Sequence, residues 1–237
     1  MLREVGASNG APGASLARRS VVEGIGTAFL LATVVGSGIM ADRLSGGNTA
    51  LALLANSLAT GAGLAALILA FGAFSGAHMN PAVTLSEAIL RGRPWREVPP
   101  YVSAQVLGAV AGVAMAHAMF GEPLFSLSVR SRTGLPQIFS EAVATFGLLA
   151  VIFFSARRDV APVAMAVGAY ISAAYWFTSS TSFANPAVTL ARSLTNTFTG
   201  IRPADVPGFL AGQAVGTSAF VLLARWLSGR KNDDPHP

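Results

Sequence analysis

Two stretches decide how this chain folds. The first is Ser75-Gly76-Ala77-His78-Met79-Asn80-Pro81-Ala82-Val83-Thr84-Leu85, and the second is Thr181-Ser182-Phe183-Ala184-Asn185-Pro186-Ala187-Val188-Thr189-Leu190. They share the hexapeptide Asn-Pro-Ala-Val-Thr-Leu. Asn is a favoured N-cap, and Pro is favoured at the first helical position, so each copy reads as a helix start. From Asn80 to Leu90 there is room for a helix of roughly 16 Å. That is about half of a ~30 Å hydrocarbon core. Each copy closes a run with no Asp, Glu, Lys or Arg, Leu44 to Ser86 and Val160 to Ala191. Both runs are too long for one span. The spacing therefore predicts a full helix followed by a re-entrant piece, twice.

The rest of the chain fits a membrane. Of its 237 residues 52% are hydrophobic and only 11% charged, against roughly 25% charged in soluble domains. That balance argues against a soluble enzyme and against a disordered chain. Spans are expected at 20–41, 50–72, 98–121, 136–156, 161–178 and 206–224. A channel domain over 20–227 then divides into repeats at 20–121 and 136–227. Polar, disordered tails are expected at 1–19 and 228–237. Three spans per repeat is an odd number, so the second repeat is inverted relative to the first, as in many channels and transporters. With both termini inside, the cytoplasmic segments collect Arg3, Arg18, Arg19, Arg91, Arg93, Arg96, Arg157, Arg158, Arg225, Arg230 and Lys231. The opposite side collects Arg43, Arg130, Arg132, Arg192 and Arg202. This bias places both termini in the cytoplasm.

The chemistry implied by these residues is passive. Two half-helices entering from opposite faces meet near the midplane with their positive dipole ends together. Asn80 and Asn185 add amide donors at that point, and the backbone of 75–79 and 180–184 lines a wet path. There is no Cys, which excludes thiolate metal sites and Cys nucleophiles. No Ser-His-Asp grouping or paired acid and base is evident, so an enzyme is not expected. The net charge of +5 orients loops and does not point to nucleic acid. His117 has no partner at metal-ligand spacing, so no metal or cofactor is expected. Glu23 and Glu141 lie within spans, each followed by Thr four residues on, and each looks isolated, with no chain of partners for a proton relay. A secondary transporter shares the inverted-repeat logic, but no coupling carboxylate neighbours either Asn.

At these residues the chain resembles the aquaporin and aquaglyceroporin family, the major intrinsic proteins. The resemblance rests on the paired Asn-Pro-Ala (Asn80, Pro81, Ala82; Asn185, Pro186, Ala187), on Ser75-Gly76-Ala77-His78, and on Glu23 and Glu141. It implies an all-α membrane protein of six transmembrane helices and two re-entrant half-helices. It also implies a homotetramer, surrounded by lipid in the inner (plasma) membrane, with one pore per subunit. Gly76, Ala77, His78, Thr181 and Phe183 would line the pore loops, and Glu23 and Glu141 would support those loops by hydrogen-bonding their backbone. Offsets from the motifs assign the selectivity filter to Thr60, Ala173, Ser182 and Val188. The family usually carries Arg where Val188 stands, and aromatic or His residues elsewhere in the filter. The four residues here are small and uncharged, so the resemblance implies a wide filter without arginine. Arg192 lies one turn beyond Val188 and would have to run back along its own half-helix to reach it. Water and small neutral solutes are the expected cargo: glycerol, and arsenous acid, which resembles glycerol in size and is neutral at pH 7. A water-selective channel is the alternative.

Overall fold

A computed structural model of the chain describes residues 14–155 and 159–229. Among the described residues eight α-helices succeed one another: α1 Leu16–Leu44, α2 Thr49–Ser75, α3 Pro81–Arg91, α4 Val98–Phe120, α5 Leu135–Ser155, α6 Val160–Phe177, α7 Pro186–Arg192 and α8 Val206–Gly229. Single 3-10 turns at Trp95–Glu97 and Pro203–Asp205 lead into α4 and α8. Among the described residues, six helical segments are long and apolar enough to cross a membrane.

The two halves pack alike. Helix α1 lies against α4 and α2, as α5 lies against α8 and α6; α3 touches α8, as α7 touches α4. The seam between the halves includes α2 against α6, α7 against α4, α3 against α8 and α3 against α7. The core between α1 and α4 is built from Leu31, Val35, Ala109, Val113 and Ala116. Large apolar side chains such as Phe29, Leu58, Leu107, Phe139 and Leu222 remain exposed on the outside. Such a surface suits lipid better than water.

Close approach of helices comes from glycine. A Cβ at Gly108 would drive into the carbonyl oxygen of Gly24 on α1, and one at Gly216 into that of Ala142 on α5. Each glycine sits three residues after a buried glutamine, Gln105 or Gln213, so the two contacts are the same contact in both repeats. Small residues at such crossings let helix backbones meet directly.

Several boundaries differ from those expected of the sequence. Helix α1 starts at Leu16, with the Ser15 side chain accepting from the Arg18 N–H. Residues 16–19 are thus helical and not part of a tail; the tail expected over 1–13 lies outside the described residues. At the other end α8 runs to Gly229, which takes in two residues assigned to the C-terminal tail. The remainder of that tail and Arg157, Arg158, Arg230 and Lys231 also lie outside the described residues. The second half-helix is short: α3 has 11 residues and α7 only 7. After Arg192 the chain turns back, and the Ile201 N–H donates to the Arg192 carbonyl.

Gly108→Val should lower stability by about 2–3 kcal/mol through overpacking against a carbonyl that cannot move aside. Gly229→Ala should be neutral, because nothing lies near a Cβ there. Thermal unfolding of both variants in detergent checks the difference.

Candidate functional site

The site begins with two loops that are neither helix nor strand. Residues 76–80 and 178–185 join a spanning helix to a half-helix. In the first, Ala77 and Met79 have φ of 47° and 46°; in the second, Thr181, Ser182 and Ala184 have φ of 61°, 50° and 46°. Left-handed backbone at non-glycine residues is strained by about 1–3 kcal/mol each. Something must hold it.

One buried carboxylate per loop does so. Glu23 is fully buried on α1. It accepts from the Ser75 hydroxyl at 2.6 Å, the His78 N–H at 2.9 Å and the Met79 N–H at 2.6 Å. Glu141, fully buried on α5, accepts from the Phe183 N–H at 2.8 Å and the Ala184 N–H at 2.9 Å. Gln105 donates to Glu23 and to the Thr84 hydroxyl, and Gln213 donates to Glu141 and the Thr189 hydroxyl. Thr84 and Thr189 in turn donate to the carbonyls of Asn80 and Asn185. Apart from the Ser75 donation to Glu23, the members named here correspond residue for residue. Neither glutamine stands out in the sequence by charge or motif; the available signal is a polar residue at the same place in the third span of each repeat.

The asparagines close the arrangement. Asn80 Oδ1 caps the Ala82 N–H, and Asn185 Oδ1 caps those of Ala187 and Val188. Their amide nitrogens cross over: Asn80 donates to the Ala184 carbonyl at 2.8 Å and Asn185 to the Met79 carbonyl at 2.7 Å. Each amide has two N–H donors, so one per Asn remains. Both asparagines line a cavity of about 530 Å³ whose lining extends from Arg91 to Arg192.

At one mouth the cavity is lined by Glu87, Arg91, Arg93 and Asp159, and at the other by Arg192. Gly76, Ala77, His78, Ser182 and Phe183 line it between, with His78 Nδ1 3.0 Å from the Thr84 hydroxyl. Leu64, Ile68, Leu148, Ile152 and Val167 supply an apolar wall. His117, by contrast, is buried away from it, with Nε2 2.7 Å from the Thr195 hydroxyl. No metal-binding group of His, Asp or Glu occurs among the described residues.

Of the four filter positions expected from offsets, Thr60, Ser182 and Val188 line the cavity. Ala173 does not; it is exposed on α6. Ile171 and Tyr175 line the cavity instead, two residues to either side, on the opposite face of the helix. The count back from Asn185 crosses the irregular stretch 178–185, and a small error there selects the wrong face. Tyr175 donates to the Thr60 hydroxyl at 3.2 Å, so the cavity has an aromatic residue where none is expected. The expectation of no arginine holds for position 188 alone. Arg192 is 2% exposed, lines the cavity, and stands with its guanidinium carbon 3.4 Å from the Phe183 ring centroid.

A second cavity of about 210 Å³ adjoins this end, lined by Arg130, Arg132, Thr181, Arg192 and Thr199 among others. Thr181, expected in the pore loops, therefore faces this second space. Burial, with Arg130 nearby, pulls the Arg132 guanidinium down to about 10, which leaves it cationic at neutral pH.

Comparison with known proteins agrees with this geometry. The family model described as major intrinsic protein matches residues 12–161. The chain is 54% identical over 212 residues to Aquaglyceroporin AqpS of Rhizobium meliloti (strain 1021), covering 90% of this chain and 91% of that one. It is 36% identical over 165 residues to Aquaporin NIP6-1 of Arabidopsis thaliana, where the match takes in 68% of this chain and 53% of that one. The solved structure of the aquaglyceroporin from Plasmodium falciparum shares the fold, with a TM-score of 0.67 at 22% identity over 91% of this chain and 96% of that one.

Glu141→Leu strands two backbone N–H groups and the Gln213 amide, and should cost about 3 kcal/mol or more. Glu141→Gln keeps one acceptor and should lose about 1–3 kcal/mol. Thermal unfolding that ranks wild type, Glu141→Gln and Glu141→Leu in that order supports the assignment; an unchanged melting temperature for both refutes it.

Proposed function

Because the chain belongs to the major intrinsic protein family, we propose that the cavity between Arg91 and Arg192 is the path of a passive channel for water and glycerol. The channel is not an enzyme, and flow is driven by the gradient alone. One observation carries the reading: Asn80 and Asn185, each with one amide N–H uncommitted, line the same cavity as the apolar side chains Leu64, Ile68, Leu148, Ile152 and Val167. A hydroxyl or water oxygen accepts from both asparagines and is thereby hindered from donating along the file. The positive ends of α3 and α7, set head to head, disfavour cations there.

The wall suits a polyol. Glycerol carries hydroxyls along one edge and C–H along the other. Thr60, Ser182 and the asparagines supply the polar edge, while Val188, Ile171, Val167 and Leu148 supply the apolar one. The selectivity filter in this reading is Thr60, Tyr175, Ser182 and Val188, with Tyr175 as the aromatic wall. Arsenous acid, neutral and close to glycerol in size, belongs to the same solute class. The assembly is a homotetramer set in lipid in the inner membrane. The arginine bias of the loops supports termini on the cytoplasmic side. A carrier is disfavoured because Glu23 and Glu141 are engaged with loop backbone.

Stopped-flow light scattering on proteoliposomes tests this. Wild type should pass water, glycerol and arsenous acid. Val188→Arg should cut glycerol flux by about tenfold while lowering water flux much less. Equal loss of both would refute the filter assignment, and water flux without glycerol flux would establish the water-selective alternative.

A further inference from the structure

The arginines at the two mouths are partnered differently. At the Arg91 mouth they have carboxylates: Arg91 pairs with Glu87 at 2.8 Å, Arg93 with Glu97 at 3.1 Å, and Arg19 with Glu97 at 2.9 Å. At the Arg192 mouth the partners are carbonyls. Arg192 Nε donates to the Thr199 carbonyl. Arg132 Nε donates to the Gly200 carbonyl and its Nη1 to the Ser180 carbonyl and the Thr181 hydroxyl. No salt bridge among the described residues includes Arg130, Arg132 or Arg192. Asp205 accepts from the Arg132 backbone N–H, but its carboxylate is engaged by Arg202 at 3.0 Å and Thr133 at 2.7 Å.

Two of these cations share one ring. The Arg132 and Arg192 guanidinium carbons stand 5.0 Å and 3.4 Å from the Phe183 centroid, so they are no more than about 8 Å apart, a single Debye length at physiological salt. The buried Glu141 carboxylate attracts both, but it is already committed to the Phe183 and Ala184 N–H groups, and one carboxylate does not balance two cations this close, one of them nearly fully buried. The Phe183 face and the carbonyl dipoles offset only part of that. A further polar group faces the same space unpartnered: the Thr199 hydroxyl, on a residue 1% exposed that lines the smaller cavity.

We infer that Arg132, Arg192 and the Thr199 hydroxyl hold a small inorganic anion at this mouth. Guanidinium donors to an anion make short, charge-assisted hydrogen bonds, and a hydroxyl completes the shell. The position has a consequence for flux, which rests on the channel reading above. Among the described residues Arg192 alone lines both the larger and the smaller cavity. An anion on Arg192 stands in the doorway between them, so its occupancy slows the passage of solute.

The probe is sulfate against gluconate at matched ionic strength, with the full chain. In detergent, sulfate at about ten times its Kd should raise the wild-type Tm by about 3–6 °C over gluconate. General salting-out by sulfate acts on all variants alike, so only the excess in wild type counts. That excess should vanish in Arg192→Met and in Arg132→Met and persist in Arg132→Lys. Should Arg192→Met fail to fold, the Arg132 pair carries the test. In proteoliposomes, sulfate should reduce wild-type glycerol flux saturably, by about threefold, and the ratio of fluxes in the two salts should approach one in Arg132→Met. The same Tm response in wild type and both Met variants overturns the site. Glycerol flux in gluconate that sulfate leaves unchanged overturns the doorway, whereas no glycerol flux in either salt overturns the channel reading itself.

Discussion

A buried carboxylate accepting backbone N–H groups is the interaction on which this structure depends. At membrane depth no water is available to an irregular segment unless the segment lines a cavity. The loops before α3 and α7 are irregular, strained and deep. Glu23 and Glu141 take up their N–H groups, which lets the loops leave their other polar groups to the path. Remove the carboxylates and the half-helices have no fixed origin. The asparagines then have no fixed meeting point, and the cavity loses its polar edge. An ionisable group within a span invites a catalytic or proton-relay reading. Here its lone pairs are already occupied by the backbone it supports.

Much of this is legible in the residues. The repeated Asn-Pro-Ala is a cap and a helix start by elementary conformational preference, and the two overlong uncharged runs locate it in the membrane. Glu23 and Glu141 are conspicuous as charges within apolar stretches. The less legible features have a common cause. Ala173 is reached by counting across an irregular loop, where residue number does not convert into helix face, and Tyr175 escapes the count for the same reason. Gln105 and Gln213 carry no charge, so charge does not single them out. Arg192 has its backbone a turn beyond Val188. Its long side chain nevertheless reaches the cavity and rests on Phe183.

The inverted repeat is close in its supports and loose at its mouths. Each loop has its Glu, its Gln, its Thr and its left-handed residues at matching places. The half-helices differ, 11 residues against 7, and so do the charges that surround them. The shorter α7 lets the chain turn back through 195–201, and that return supplies the Thr199 and Gly200 carbonyls that Arg192 and Arg132 use. The scaffold is therefore shared between the halves, whereas the character of each mouth is set by the segment leaving the half-helix.

The crossed asparagine bonds bear on how such a chain is made. Asn80 finds its partner carbonyl at Ala184, and Met79 is reached only by Asn185. A ribosome delivers the first half long before Ala184 or Asn185 exists. Until the second half is inserted, the Asn80 amide and the Met79 carbonyl have no partner from the other repeat. Neither repeat can finish its own centre, so completion of the channel is an event of the whole chain and comes late in biosynthesis.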